Sequence, residues 1–198
     1  GYYQIDNDGQ ITITAAGVAA EVNDFEAGSN SGDYVVVMTD QLDNQTEATV
    51  TLAETNLNED ATFQNQQIDY AENREAGDVL GTVNASDLDG VKSFGFKQAD
   101  DSVATTSQDG YYQIDNDGQI TITAAGVAAG VNDFETAPNS GQYVVTMTDK
   151  GGAKTDATVT LSETNVDEAA SFDNQTHNYA ENQTAGATVA TLTASDVD

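Results

Sequence analysis

GYYQIDNDGQITITAAGVAA occupies residues 1–20 and returns unchanged at residues 110–129. The register of 109 residues then holds without a gap to residue 198, and 59 of the 89 aligned pairs are identical. Over the first 26 positions only Glu21 differs from its counterpart, Gly130. Solenoid repeats are short, about 20–50 residues, because each adds one supersecondary unit to a shared core, whereas a period this long can enclose a core of its own. The chain therefore reads as a window on a bead-like array, about 1.8 periods long and out of phase with its beads.

Each period resolves into short strands. In 46–53 (TEATVTLA), Ala48, Val50 and Leu52 fall on one face and Thr49 and Thr51 on the other, and 155–162 repeats the pattern. Period-two alternation of this kind marks strands with one buried face. Further strands are expected at 66–71, 79–85, 92–97, 111–114, 119–123 and 142–148, between clusters of Gly, Asn and Asp, which makes about seven per period. Asp8-Gly9 and Asp117-Gly118 stand between alternating runs, where a tight hairpin needs positive φ. Only 15–20 and its copy can make a helical turn. Threonine and valine enrichment with this spacing predicts an all-β fold, an antiparallel sandwich.

Composition narrows the function. Against 34 Asp and Glu stand 5 Lys and Arg, a formal charge of −29. Nucleic-acid binding needs basic side chains that displace counterions from phosphate, so it is excluded, and an anionic membrane surface is disfavoured for the same reason. No apolar run approaches the roughly 18 residues of a membrane span. With no cysteine, neither a disulfide framework nor a thiolate metal site is available. So much like charge in a small fold calls for salt or a bound cation.

The acids recur at strand ends. Asp87-Leu88-Asp89-Gly90 follows the 79–85 strand and Asp196-Val197-Asp198 repeats it; Asn23-Asp24-Phe25-Glu26 and Asn132-Asp133-Phe134-Glu135 surround a Phe expected to be buried; Glu72 and Glu181 sit in matching AEN runs, and Asp40 and Asp149 end long strands. Alternate residues on a strand point two carboxylates the same way. Oxygen-only donors suit calcium, which takes about six to eight oxygens in loose geometry, and the near absence of His and Cys argues against zinc or copper.

YAENREAGDVLGTVNASDLDG at 70–90, GYYQIDNDGQITIT at 110–123, NDFE at 132–135, the YVVVMTD and YVVTMTD strands, and a TVTL strand leading into an acid-rich linker together resemble a cadherin-type repeat, in particular the cadherin-like repeats of large bacterial surface adhesins of RTX type. The resemblance covers the whole chain out of frame and implies all-β, seven-stranded Greek-key β-sandwich repeats of cadherin/immunoglobulin-like type in tandem. It implies one complete repeat at 56–165, the later part of its predecessor at 1–55 and the opening of its successor at 166–198. It implies Ca2+ between consecutive repeats. The junction near residue 57 would use Asp24, Glu26, Asn58, Glu59, Asp60, Asp87, Asp89 and Asp149, and the junction near residue 166 would use Glu72, Asp133, Glu135, Asp167, Glu168, Asp196 and Asp198. The linkers ETNLNEDATF and ETNVDEAASF lack the proline of the family's pattern and carry Asn56 and Asn165 where an Asp is expected. An extracellular or cell-surface location follows from the same resemblance, as do adjacent repeats of the same protein as partners.

Other signals carry less. IDNDGQI lacks the ligand spacing of an EF-hand and reads as a hairpin turn. His177 replaces Ile68 of the other copy, which makes it a structural residue rather than a base. Paired carboxylates can hydrolyse glycosides, but they occur alike in both copies, so no enzyme is expected. Two further functions stay open: a polysaccharide or homophilic binding module using the Tyr2-Tyr3 and Tyr111-Tyr112 pairs, each expected to bury one ring and expose the other, and a filament in which 1–55 and 166–198 of neighbouring chains complete one another.

Overall fold

The computed structural model of the chain describes residues 1–136 and 138–198. In chain order the elements are β1 (Tyr3–Ile5), β2 (Ile11–Ile13), α1 (Ala15–Ala19), β3 (Ser31–Thr39), β4 (Gln45–Ala53), β5 (Thr62–Phe63), β6 (Gln66–Ala71), β7 (Val79–Thr82), β8 (Ala85–Ser86), β9 (Val91–Lys97), β10 (Val103–Ala104), β11 (Tyr112–Ile114), β12 (Gln119–Ile122), α2 (Ala124–Ala128), β13 (Ser140–Asp149) and β14 (Lys154–Thr164). They fall into two compact units. Unit 1 holds Gly1–Thr62, Ser86–Val91 and Asp149–Ala153; unit 2 holds Phe63–Ala85, Lys92–Thr148 and Lys154–Asp198.

Unit 2 contains an all-β sandwich. One sheet runs β10-β9-β13-β14-β6 and the other β11-β12-β7. The alternation seen in the sequence sets the burial: Ala157, Val159 and Leu161 of β14, Val145 and Met147 of β13, Ile120 and Ile122 of β12 and Ile114 of β11 are all buried, with Phe94, Phe96 and Tyr70 filling the core. Tyr143 packs edge-on against Phe96 and Tyr112, ring centroids 5.8 and 5.1 Å apart. Its hydroxyl donates to Asp109 at 2.8 Å. The Tyr70 and Tyr112 hydroxyls meet at 3.1 Å, so both phenols bury their rings without orphaning a polar tip.

The turns follow the local chemistry. Asp115 Oδ1 accepts the N–H groups of Asp117 and Gln119, both at 2.9 Å, while Gly118 sits at φ +82°. A Cβ there would also fall 2.7 Å from Val83 Cγ2, so glycine is required twice over. Thr123 ends β12 because its hydroxyl caps α2, accepting from Gly126 N at 3.1 Å.

Three expectations need correcting. The sandwich is not wholly antiparallel, since β14 pairs with β6 in parallel, Val159 opposite Gln66 through Thr164 opposite Ala71. Parallel neighbours need a long crossover, and almost the whole repeat lies between these two strands. The 79–85 strand is split into β7 and β8: Gln66 reaches over to the 83–84 backbone, accepting from Asn84 N at 2.8 Å and donating to Asn84 O at 2.7 Å. Phe134 is half-buried rather than buried, and the buried member of its motif is Asn132, whose side chain donates to Arg74 O at 2.7 Å.

Equal sequence does not bring equal burial. In unit 1, β1 pairs with β2 and β3 with β4, but Met38 is 62% exposed where its counterpart Met147 is 0% exposed. In the last stretch of unit 2, Ser171 and Ser195 form an isolated bridge and Gln175 donates to Thr193 O at 2.6 Å, repeating the Gln66 contact. Yet Tyr179 is 68% exposed where Tyr70 is 4% exposed.

Candidate metal centre

Much of one arrangement recurs in both units, with a different third carboxylate in each. In unit 1 the DxD segment after β8 places Asp87 and Asp89 two residues apart, and the linker folds over Asp89. Asn56 Nδ2 donates to Asp89 Oδ1 at 2.5 Å, and Glu59 N donates to Asp89 Oδ2 at 3.3 Å. Asp24 accepts from Glu26 N at 3.2 Å, turning the chain at that point. Glu26, Glu59 and Asp89 then offer carboxylate oxygens that all lie within 4.8 Å of one another. Asp149, 1% exposed, accepts from Asn58 Nδ2 at 3.0 Å and from Gly152 N and Ala153 N at 2.5 and 2.8 Å. Those bonds, the Asn58 amide first, hold its carboxyl below the usual carboxylate range. Asp149 thus ties the linker to the turn after β13. Asp60 is exposed and stands outside the three-carboxylate group.

In unit 2, Asn165 Nδ2 donates to Asp198 Oδ1 at 3.0 Å and Glu168 N to Asp198 Oδ2 at 2.6 Å, the same two bonds 109 residues on. Buried Glu72 accepts from Phe134 N at 2.8 Å and Val166 N at 2.7 Å, joining the NDFE segment to the linker. Glu72, Glu135 and Glu168 form the three-carboxylate group here, with Asn73 donating to Glu168 and Asn165 to Glu135. Asp133 accepts from Thr136 Oγ1 at 3.1 Å. Asp167 and Asp196 are exposed and outside the group.

Electrostatically both groups are strained. Burial raises the Glu59 carboxyl, with Glu26 and Asp89 repelling the charge further. Burial likewise raises Glu135 and Glu168, with Glu72 adding to each. Buried Glu59 Oε2, Asp87 Oδ2 and Glu168 Oε2 have no hydrogen-bond partner. Among the described residues the ion pairs are those of Lys97, with Asp101 and Asp156, so no basic side chain neutralises either group. Clustered hard oxygens with unused lone pairs fit a divalent cation of calcium type.

A pH dependence follows. A carboxyl whose pKa is raised on folding binds more protons folded than unfolded, so it favours the folded state in acid and loses that contribution as pH rises through the shifted value. Burial at the end of β14, with Glu72 adding repulsion, pushes Glu163 up to about 7 from 4.5. In chelator, melting temperature is expected to fall between about pH 5 and about pH 7.5. The lowered Asp40, Asp100, Asp149 and Asp156 lose their contribution only below their ordinary value of 3.8. Thermal melts followed by circular dichroism check it, and a flat profile would mean that burial and mutual repulsion do not raise these carboxyls.

Sequence reading missed two features. Asn56 and Asn165 look like departures from an expected Asp, yet each uses its amide to clamp the DxD carboxylate, which an Asp there would repel. Glu163 lies one alternation step beyond the strand predicted at 155–162 and is buried.

No family model matches the chain, and no curated protein matches it. Solved structures do. Human CDH23 EC21-23 is similar with TM-score 0.63 at 16% identity, over 100% of this chain and 62% of that one. Mouse Protocadherin-24 EC1-3 is similar with TM-score 0.54 at 20% identity, over 100% and 63%. The human Desmocollin-1 ectodomain gives 0.53 at 19%, over 100% and 37%. The chain spans less than two thirds of each. At these identities the likeness establishes the fold: a cadherin-like β-sandwich.

Proposed function

We propose that the chain is an extender segment of a large cell-surface or secreted adhesin, stiffened by Ca2+ at its repeat junctions and holding a binding domain away from the cell, in support of cell adhesion or biofilm. The RTX-type bacterial adhesins are the proposed setting. The observation that carries the reading is the recurring centre: separated segments bring three carboxylates together in both units, Glu26 and Glu59 with Asp89 in one and their counterparts Glu135 and Glu168 with Glu72 in the other, and in both the linker makes matching Asn and Glu hydrogen bonds to the last Asp of the DxD. A repeat frame of 1–55, 56–165 and 166–198 puts one such centre at each boundary. Without metal the acids repel and the boundary is a hinge; with Ca2+ their charge is neutralised and the segments are tied together. The cadherin-like fold is consistent with this role and with a non-enzymatic, extracellular protein. Small-angle scattering of the chain tests it: the maximum dimension and flexibility should change on exchanging Ca2+ for EDTA, and identical profiles would overturn the reading.

The exposed apolar residues of unit 1 and of 166–198 favour a second reading, completion of these open faces by repeat-type strands of a neighbouring copy, which would yield a filament. Unpaired apolar strands are prone to such addition. Scattering mass that stays at one chain at every concentration would remove it. A polysaccharide or homophilic site would rest on one accessible ring per pair: Tyr2 is 51% exposed beside half-buried Tyr3, and Tyr111 is half-buried beside buried Tyr112.

A further inference from the structure

Unit 1 has a single basic side chain. Its stretches Gly1–Thr62 and Ser86–Val91 contain no Lys or Arg, and Lys150 stands in the third, Asp149–Ala153. That lysine is set against the DxD turn. Its N–H donates to Gly90 O at 2.9 Å, and its side chain runs on along the same glycine. A Cβ added to Gly90 would stand 2.9, 3.2 and 3.5 Å from the Nζ, Cε and Cδ of Lys150. Gly90, at φ +95°, thus leaves bare the surface on which the lysine lies. The glycine itself belongs to the acids: its N–H donates to Asp87 Oδ1 at 3.0 Å, and it directly follows Asp89.

The ammonium forms no ion pair, since among the described residues those are made by Lys97. Yet buried Asp87 Oδ2 and Glu59 Oε2 have no hydrogen-bond partner, and Asp89 receives only the Asn56 amide and the Glu59 N–H. A lysine is a point charge on a flexible four-carbon stem, so an ammonium resting on residue 90 reaches the acids at 87 and 89 by rotating its own bonds. Two cations cannot share the same oxygens: they repel one another and compete for the same lone pairs. Lysine therefore favours the metal-free centre and opposes the loaded one. The turn does not need the charge in order to form. Gln41 replaces Lys150 in the other copy, where Asp40 accepts from Asn44 N at 2.9 Å just as Asp149 accepts from Ala153 N at 2.8 Å.

We propose that Lys150 is a built-in competitor at the cation centre of unit 1: its ammonium sits on the Asp87 and Asp89 carboxylates without metal and retires to Gly90 when a divalent, oxygen-preferring cation binds, which sets the affinity of that centre. This rests on the calcium reading above and deepens it. The test compares the full chain with Lys150→Gln, which carries the residue found at position 41, and Lys150→Arg, which keeps the charge. Lys150 is exposed, so both variants fold. In Ca2+ titrations by calorimetry at low salt, Lys150→Gln is expected to tighten one class of site about two- to fivefold, and added salt to shrink the difference. Lys150→Arg should stay near the parent. In EDTA, Lys150→Gln should melt below the parent, because the one counter-charge among these acids has gone, and in saturating Ca2+ the gap should close. Unchanged or weaker calcium binding by Lys150→Gln would overturn this inference alone. Equal losses of melting temperature in Ca2+ and in EDTA would mark a lysine that merely packs, and overturn it too. A parent chain that binds no Ca2+ would overturn the proposed function as well.

Discussion

Replacing EDTA by about 10 mM Ca2+ is expected to raise the melting temperature by about 6–20 °C. Calcium modules of extracellular proteins bind with dissociation constants of about 10⁻⁴ to 10⁻³ M, so an ion that binds only the folded state stabilises it by about 1.4–2.7 kcal/mol per site at that concentration. A domain of about 60–100 residues responds with roughly 4–8 °C per kcal/mol. Relief of repulsion within Glu72, Glu135 and Glu168, and within Glu26, Glu59 and Asp89, is what the ion supplies. Mg2+ at the same concentration should do less, because it demands octahedral geometry and gives up water reluctantly. Glu135→Gln, at an exposed member of its group, should reduce the calcium-dependent rise and raise the melt in EDTA somewhat, because one of the repelling charges has gone. A melting temperature that ignores both Ca2+ and chelator would dismiss the centres as solvated acids.

Leu161→Ala is expected to cost about 2–5 kcal/mol, a fully buried leucine losing both its transfer term and its packed surroundings. Its counterpart Leu52→Ala should cost roughly 1 kcal/mol or less, since a half-exposed site leaves no enclosed cavity. The two leucines share the sequence TVTL and the following Glu-Thr-Asn; Leu161 is buried and Leu52 is not. Urea unfolding of the two variants measures the difference. Equal losses would show that the open face of unit 1 is covered in solution, and would support completion by a neighbouring copy.

Much of the architecture was legible because it depends on neighbours in sequence. Period-two alternation located β4, β6, β9, β13 and β14 to within two residues at their ends, and Asp-Gly at 117–118 specified a hairpin through the positive φ that glycine allows. What escaped depends on residues far apart. The parallel pairing of β14 with β6 joins residues more than 90 positions apart, Val159 opposite Gln66 through Thr164 opposite Ala71, and the break between β7 and β8 coincides with the hydrogen bonds from the side chain of Gln66 to Asn84. The candidate centre divides in the same way. The DxD and NDFE acids stood out by repetition. Glu163 did not, because a charged residue looked like the end of a strand when it was the last inward position of one.

The charge of −29 and the 109-residue period belong to the sequence alone. They determine that one strand-rich pattern is repeated, that the DxD and NDFE acids recur at fixed points in it, and that the net charge is strongly negative. Tertiary structure alone decides which acids meet. It draws Glu26, Glu59 and Asp89 together in one unit and Glu72, Glu135 and Glu168 in the other, leaves Asp60, Asp167 and Asp196 in solvent, and buries Glu163 without a partner. The reason is physical: strand alternation is set by each residue's immediate neighbours, whereas the burial and repulsion of a carboxylate are set by whatever chain the fold packs against it.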